Sequence, residues 1–102
     1  MPILHTVNKS PFEKSTFRSC LDHAGPGDGV LLIEDGVYAA TKGTAAADLI
    51  AARKGDVALY ALGADLAARG ISEKSVIEGI TVVDYGGFVD LVAEHDVSQA
   101  WL

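Results

Sequence analysis

Five short apolar runs, at residues 3–7, 30–33, 56–62, 80–84 and 97–102, are spaced along the chain with helical material between them. The run Val30-Leu31-Leu32-Ile33 has no polar alternation, which is the pattern of a strand buried on both faces. Phe88, Leu91 and Val92 are spaced as on a helix. Ser10-Pro11-Phe12-Glu13 predicts a helix start: Ser10 as N-cap, Pro11 at the first helical position and Glu13 closing a capping box. That helix is expected to run to about His23 and to stop at Gly25-Pro26-Gly27. Glu34-Asp35-Gly36 turns the chain into further helical material, broken at Lys42-Gly43 and resumed over residues 44–53. A short helix over residues 65–69 ends at Gly70. Strands alternating with helices predict an α/β fold: a small three-layer parallel sheet of about five strands with helices on both faces. Residues 1–102 are expected to form a single domain.

Composition adds a surface to this picture. Of the 102 residues, 49% are hydrophobic, more than one small core absorbs, although many are alanines that bury little area each. The excess is expected to cover a partner. The formal charge is −6, and Arg53-Lys54 is the closest approach to a basic cluster, so direct nucleic-acid binding is not expected. The apolar run 57–62 is far shorter than the ~20 residues of a membrane helix, and the first residues lack the pattern of a signal peptide. A single cysteine leaves no internal disulfide and no cysteine-rich zinc site. A cytoplasmic protein is expected, with no cofactor and no metal.

Ligands of parallel sheets sit beyond the carboxyl ends of the strands. There the chain offers Asn8, Lys9 and Ser10, then Glu34, Asp35 and Gly36, then Gly63 and Asp65, then Tyr85, Gly86 and Gly87. This rim carries carboxylates and one lysine, and suits no anion. Gly25-Pro26-Gly27-Asp28-Gly29 precedes a strand, whereas a nucleotide loop follows one. Glu34 and Asp35 are consecutive at a strand end and point apart, with Asp35 placed to cap the next helix. His5 is read as a structural histidine of the first strand, and Trp101 as a packing or interface residue. Cys20 is the only candidate nucleophile. It precedes His23 by three residues, and an imidazolium on the same helix face would favour its thiolate. The negative end of the helix opposes that by about 0.3–1 kcal/mol. Phe17 and Leu21 mark the buried stripe, with Cys20 beside it.

Leu4-His5-Thr6, Ser10-Pro11, Leu31-Leu32, Asp35-Gly36-Val37 and Ala39-Ala40 occur in an order that continues along the chain. Tyr60-Ala61-Leu62, Asp65-Leu66, Ala68-Arg69-Gly70, Asp84-Tyr85, Phe88-Val89 and Gln99-Ala100-Trp101 complete it. This ordered set resembles the TusB/DsrH family. The resemblance implies a DsrE-like fold and a cytoplasmic heterohexamer with two homologous sister subunits, DsrE/TusD-like and DsrF/TusC-like. It further implies a complex that passes persulfide sulfur to a small DsrC/TusE-like carrier protein, with the principal sulfur-carrying cysteine on a sister subunit. Members of the tRNA-thiolation branch can lack a cysteine on this first helix. Cys20 therefore points to the sulfur-oxidation branch, as a candidate auxiliary persulfide carrier. The alternatives are a TusB-type subunit of the relay for tRNA 2-thiouridine, and an assembly subunit with no sulfur chemistry of its own. In each case the chain is not expected to be catalytic alone.

Overall fold

A computed structural model describes residues 2–53 and 55–102; Met1 and Lys54, the second half of the Arg53-Lys54 pair, lie outside the described residues. Five strands, β1 (Ile3–Val7), β2 (Gly29–Leu32), β3 (Ala58–Leu62), β4 (Ile80–Val83) and β5 (Val97–Trp101), form one sheet. All pairs are parallel and the order is β4-β3-β2-β1-β5. Four α-helices are described: α1 (Thr16–His23), α2 (Ala45–Ala52), α3 (Gly63–Ala68) and α4 (Tyr85–Glu94). A 3₁₀ helix, Glu34–Ala40, precedes α2, and a shorter one, Glu73–Ser75, precedes β4.

The strand order explains which face each helix covers. From β1 to β4 the chain steps steadily in one direction, so right-handed crossovers put α1, α2 and α3 on one face. From β4 the chain returns across the sheet to the far side of β1, and the same handedness puts α4 on the opposite face. The first face holds the main core, including Val7, Phe17, Leu21, Val30, Leu32, Val37, Ile50 and Leu66. The second holds a smaller cluster of Leu4, Leu31 and Leu91, flanked by Ile33, Tyr60, Val83 and Phe88. The expected three-layer α/β architecture is present, with its layers unequal.

The first helix differs from its sequence signal. It begins at Thr16, not after Ser10. Ser10 Oγ accepts from Phe12 N–H at 3.2 Å, and the Glu13 and Lys14 N–H groups donate to the Ser10 carbonyl. The local donors are thus satisfied in a turn that does not propagate. At its other end α1 is held by Arg53, whose guanidinium donates to the carbonyls of Leu21 and Ala24. These are free carbonyls of a last helical turn, and the cation also suits the negative end of the helix.

Candidate functional site

The carboxyl-end rim is assembled from the loops that the sequence pointed to, and Asp35 and Asp65 are engaged there by Arg69. Glu34 sits at φ 48°, a left-handed conformation that few non-glycine residues adopt. It is held there by its N–H, which donates to Asp65 Oδ2 at 2.7 Å. Asp35 does not cap the following helix; it accepts from Arg69 Nε at 2.9 Å, and the same guanidinium lies 3.8 Å from Asp65. Arg69, at the end of α3, is the cation of this rim that the strand-end argument missed. Asp84 Oδ1 accepts from Gly87 N–H at 2.7 Å and caps α4. Among the described residues no group of three or more His, Cys, Asp or Glu side chains is placed to hold a metal ion. The rim carries a helix cap and ion pairs, and neither a cysteine nor a histidine.

Cys20 lies elsewhere, under α1 on the main core face. It is not beside the buried stripe but in it, with 0% exposure alongside Phe17 and Leu21. Burial pushes its thiol up from 9.0 to about 12, and the negative charge of Asp28 adds to the rise. His23 does not bring its charge to the sulfur. Its Nδ1–H donates to the Ser19 carbonyl at 2.8 Å, and its ring packs tilted against Trp101, with centroids 5.6 Å apart and the planes at 49°. The pairing of Cys20 with His23 expected from helical spacing is therefore replaced by the proximity of a carboxylate.

That carboxylate belongs to a buried network absent from the sequence reading. Trp101 Nε1–H donates to His5 Nδ1 at 3.0 Å, so Nδ1 is the unprotonated nitrogen. His5 Nε2–H then donates to Asp28 Oδ2 at 2.9 Å. Asp28 also accepts from Gly25 N–H at 2.9 Å and from Ile3 N–H at 3.0 Å. Burial alone would raise the Asp28 pKa, but the His5 bond and the two backbone donors outweigh it and hold the group below the usual carboxylate range. His5 is 2% exposed with both ring nitrogens bonded, the satisfied structural histidine that its strand position suggested. The network ties the sheet's central strands to β5 and places a fixed negative charge near the thiol.

A measurable consequence follows for the thiol. At any pH below 9, a rise from 9.0 to about 12 leaves about a thousandfold less thiolate than an unshifted cysteine has. In the isolated folded chain, Cys20 should react with a thiol-specific disulfide reagent at least a hundredfold more slowly than in denaturant. Labelling at equal rates in the two states would show that the sulfur is accessible.

A family model described as DsrH like protein matches residues 9–98. The chain belongs to the DsrH-like family. Protein TusB of Shigella flexneri is 35% identical over 99 residues, spanning 97% of this chain and the whole of that protein. Protein TusB of Escherichia coli (strain K12) matches with the same identity and coverage. Among solved structures, the ychN protein from E. coli superposes with a TM-score of 0.85, covering 99% of both chains at 14% identity. MTH1491 from Methanobacterium thermoautotrophicum gives 0.75 at 16% identity, with 97% of each chain covered. The family membership bears out the sequence resemblance, and the structural neighbours bear out the fold.

Proposed function

We propose that this member of the DsrH-like family is a non-catalytic subunit of a cytoplasmic sulfur-relay complex. It holds two homologous sister chains, DsrE/TusD-like and DsrF/TusC-like, in a heterohexamer that passes persulfide sulfur to a small DsrC/TusE-like carrier. The carrying observation is the full burial of its one cysteine in the core under α1, with a thiol pushed up to about 12, while the carboxyl-end rim has no thiol. Persulfide transfer needs a thiolate that a second sulfur can reach. For Cys20 to act as an auxiliary carrier, α1 has to move off the sheet within the complex; as a core residue it needs no movement. The core role is the one we assign. Mass spectrometry of the complex after persulfide loading tests it: the sister cysteine should carry the added sulfur while Cys20 stays unmodified. A persulfide on Cys20 would instead assign the auxiliary role.

The pathway we assign is sulfur oxidation, because a cysteine stands on the first helix. The 35% identity to TusB supports the second reading, a relay feeding tRNA 2-thiouridine. Deletion of the gene separates them. Unchanged tRNA with blocked sulfur oxidation upholds the first, and loss of 2-thiouridine replaces it with the second.

Neither reading needs the chain to touch RNA. The charge of −6 opposes binding to phosphates, which depends on displacing counterions with Lys and Arg. Isolated chain titrated with tRNA at physiological salt should give no saturable binding up to tens of micromolar; tight, salt-sensitive binding would refute this.

A further inference from the structure

The net charge is unevenly placed. All eight Lys and Arg residues lie between Lys9 and Lys74, whereas residues 75–102 carry Glu78, Asp84, Asp90, Glu94 and Asp96 and no Lys or Arg. This acidic segment includes α4, which alone covers its face of the sheet. A helix is about 10 Å wide with its side chains, and five strands about 4.8 Å apart span roughly twice that. Parallel sheets are ordinarily covered on both faces, yet on this one Ala58, Thr81, Ser98 and Ala100 remain exposed.

The helix itself is apolar in two directions. Phe88, Leu91 and His95 face the sheet. Tyr85, Val89 and Val92, spaced i, i+4 and i+7, share an outward flank and are 63%, 66% and 42% exposed. Asp90 and Glu94 occupy the adjoining flank, both exposed. An apolar ridge bordered by carboxylates and flanked by bare sheet is the result.

We propose that this ridge is a docking surface for a different protein, one that presents an apolar groove edged by Lys or Arg side chains. Charge decides the occupant. A second copy placed by a two-fold axis would set Asp90 and Glu94 near their own counterparts, with no cation from residues 75–102 to offset them. A groove with basic edges meets both the ridge and the carboxylates. A specific interface needs about 800 Å² from each partner, more than three side chains supply, so the contact extends over the bare strands beside α4. The proposal rests on the relay-subunit reading, which makes a sister chain the partner.

The test is co-expression with the two sister chains. Val89→Arg puts a cation into the ridge where 66% of the residue is already exposed, so the fold should persist, as its melting curve will show. Binding to the sister chains should weaken at least tenfold. The double variant Asp90→Lys/Glu94→Lys should weaken it similarly and remove most of its salt dependence. If the wild-type chain assembles and both variants assemble equally well, the surface is misassigned although the relay reading stands. If the wild-type chain ignores both sisters, the relay reading and this proposal fail together. If the purified chain alone self-associates through a contact that Val89→Arg breaks, the occupant is a second copy and the proposal is overturned.

Discussion

Gly36→Ala should cost about 4 kcal/mol, a large share of the 5–15 kcal/mol that holds a typical domain together. A Cβ at this position would lie 2.1 Å from the Val7 carbonyl oxygen and 2.9 Å from its carbon. Both atoms are backbone, so no rotamer change relieves the overlap. The 3₁₀ helix must instead lift from the end of β1, breaking the Ile33 N–H to Val7 carbonyl bond and carrying the buried Val37, Ala39 and Ala40 with it. For a chain of about 100 residues this corresponds to a fall in Tm of roughly 15–30 °C. Gly43→Ala is the control. Gly43 has φ +76° but open space around its Cα, so the change should cost only about 1–2 kcal/mol. A Gly36→Ala melt within a few degrees of wild type would mean that the approach of the two backbones is not as close as described.

Asp28→Ala should be nearly as damaging, by about 3–5 kcal/mol, because it strips the acceptor from three donors at once. Ile3 N–H, Gly25 N–H and His5 Nε2–H all converge on this buried carboxylate. The effect carries a pH signature. The folded-state pKa of Asp28 lies below the ordinary 3.8, so its charged form is favoured by folding. Its contribution is complete above pH 3.8 and is lost as the pH falls from there through the lowered folded value. The stability gap between wild type and Asp28→Ala should therefore be constant near neutrality and narrow below about pH 3.8. Trp101, the single tryptophan, is bonded to His5 and reports the transition by fluorescence. A gap that does not change with acid would remove the carboxylate from this role.

These two sites also separate what the sequence made legible from what it hid. The inner strands were visible because β-rich apolar runs such as Val30-Leu31-Leu32-Ile33 carry their burial in their composition, whereas β5, exposed from Val97 to Ala100, showed only as the last member of the strand–helix alternation. Helix α4 was visible through the spacing of Phe88 and Leu91. The start of α1 was misread because Ser10-Pro11 serves a turn as well as a helix start, and nothing local decides between the outcomes. Cys20 was placed beside the core, but the packing of α1 onto β1 sets its burial. The union of His5, Asp28 and Trp101 has no periodicity to betray it: one residue is in β1, one precedes β2 and one is in β5. The segregation of charge was present in the letters, and only the placement of α4, with Asp90 and Glu94, over the thinly covered face of the sheet gives it meaning.

The position of β5 has a consequence for how the molecule is made. It pairs residue for residue with β1, from Ile3 beside Val97 to Val7 beside Trp101, and the indole bond to His5 joins positions 96 apart in the chain. During synthesis β1 must wait for every other element before that edge is covered. Until then its hydrogen-bonding groups on that side are open to any strand that reaches them. Contacts of such long sequence separation also slow folding, because the loop must close before they reward it. The nascent chain thus passes through a stage with four strands aligned and one central edge bare. At that stage it is most exposed to mispairing with a neighbouring copy.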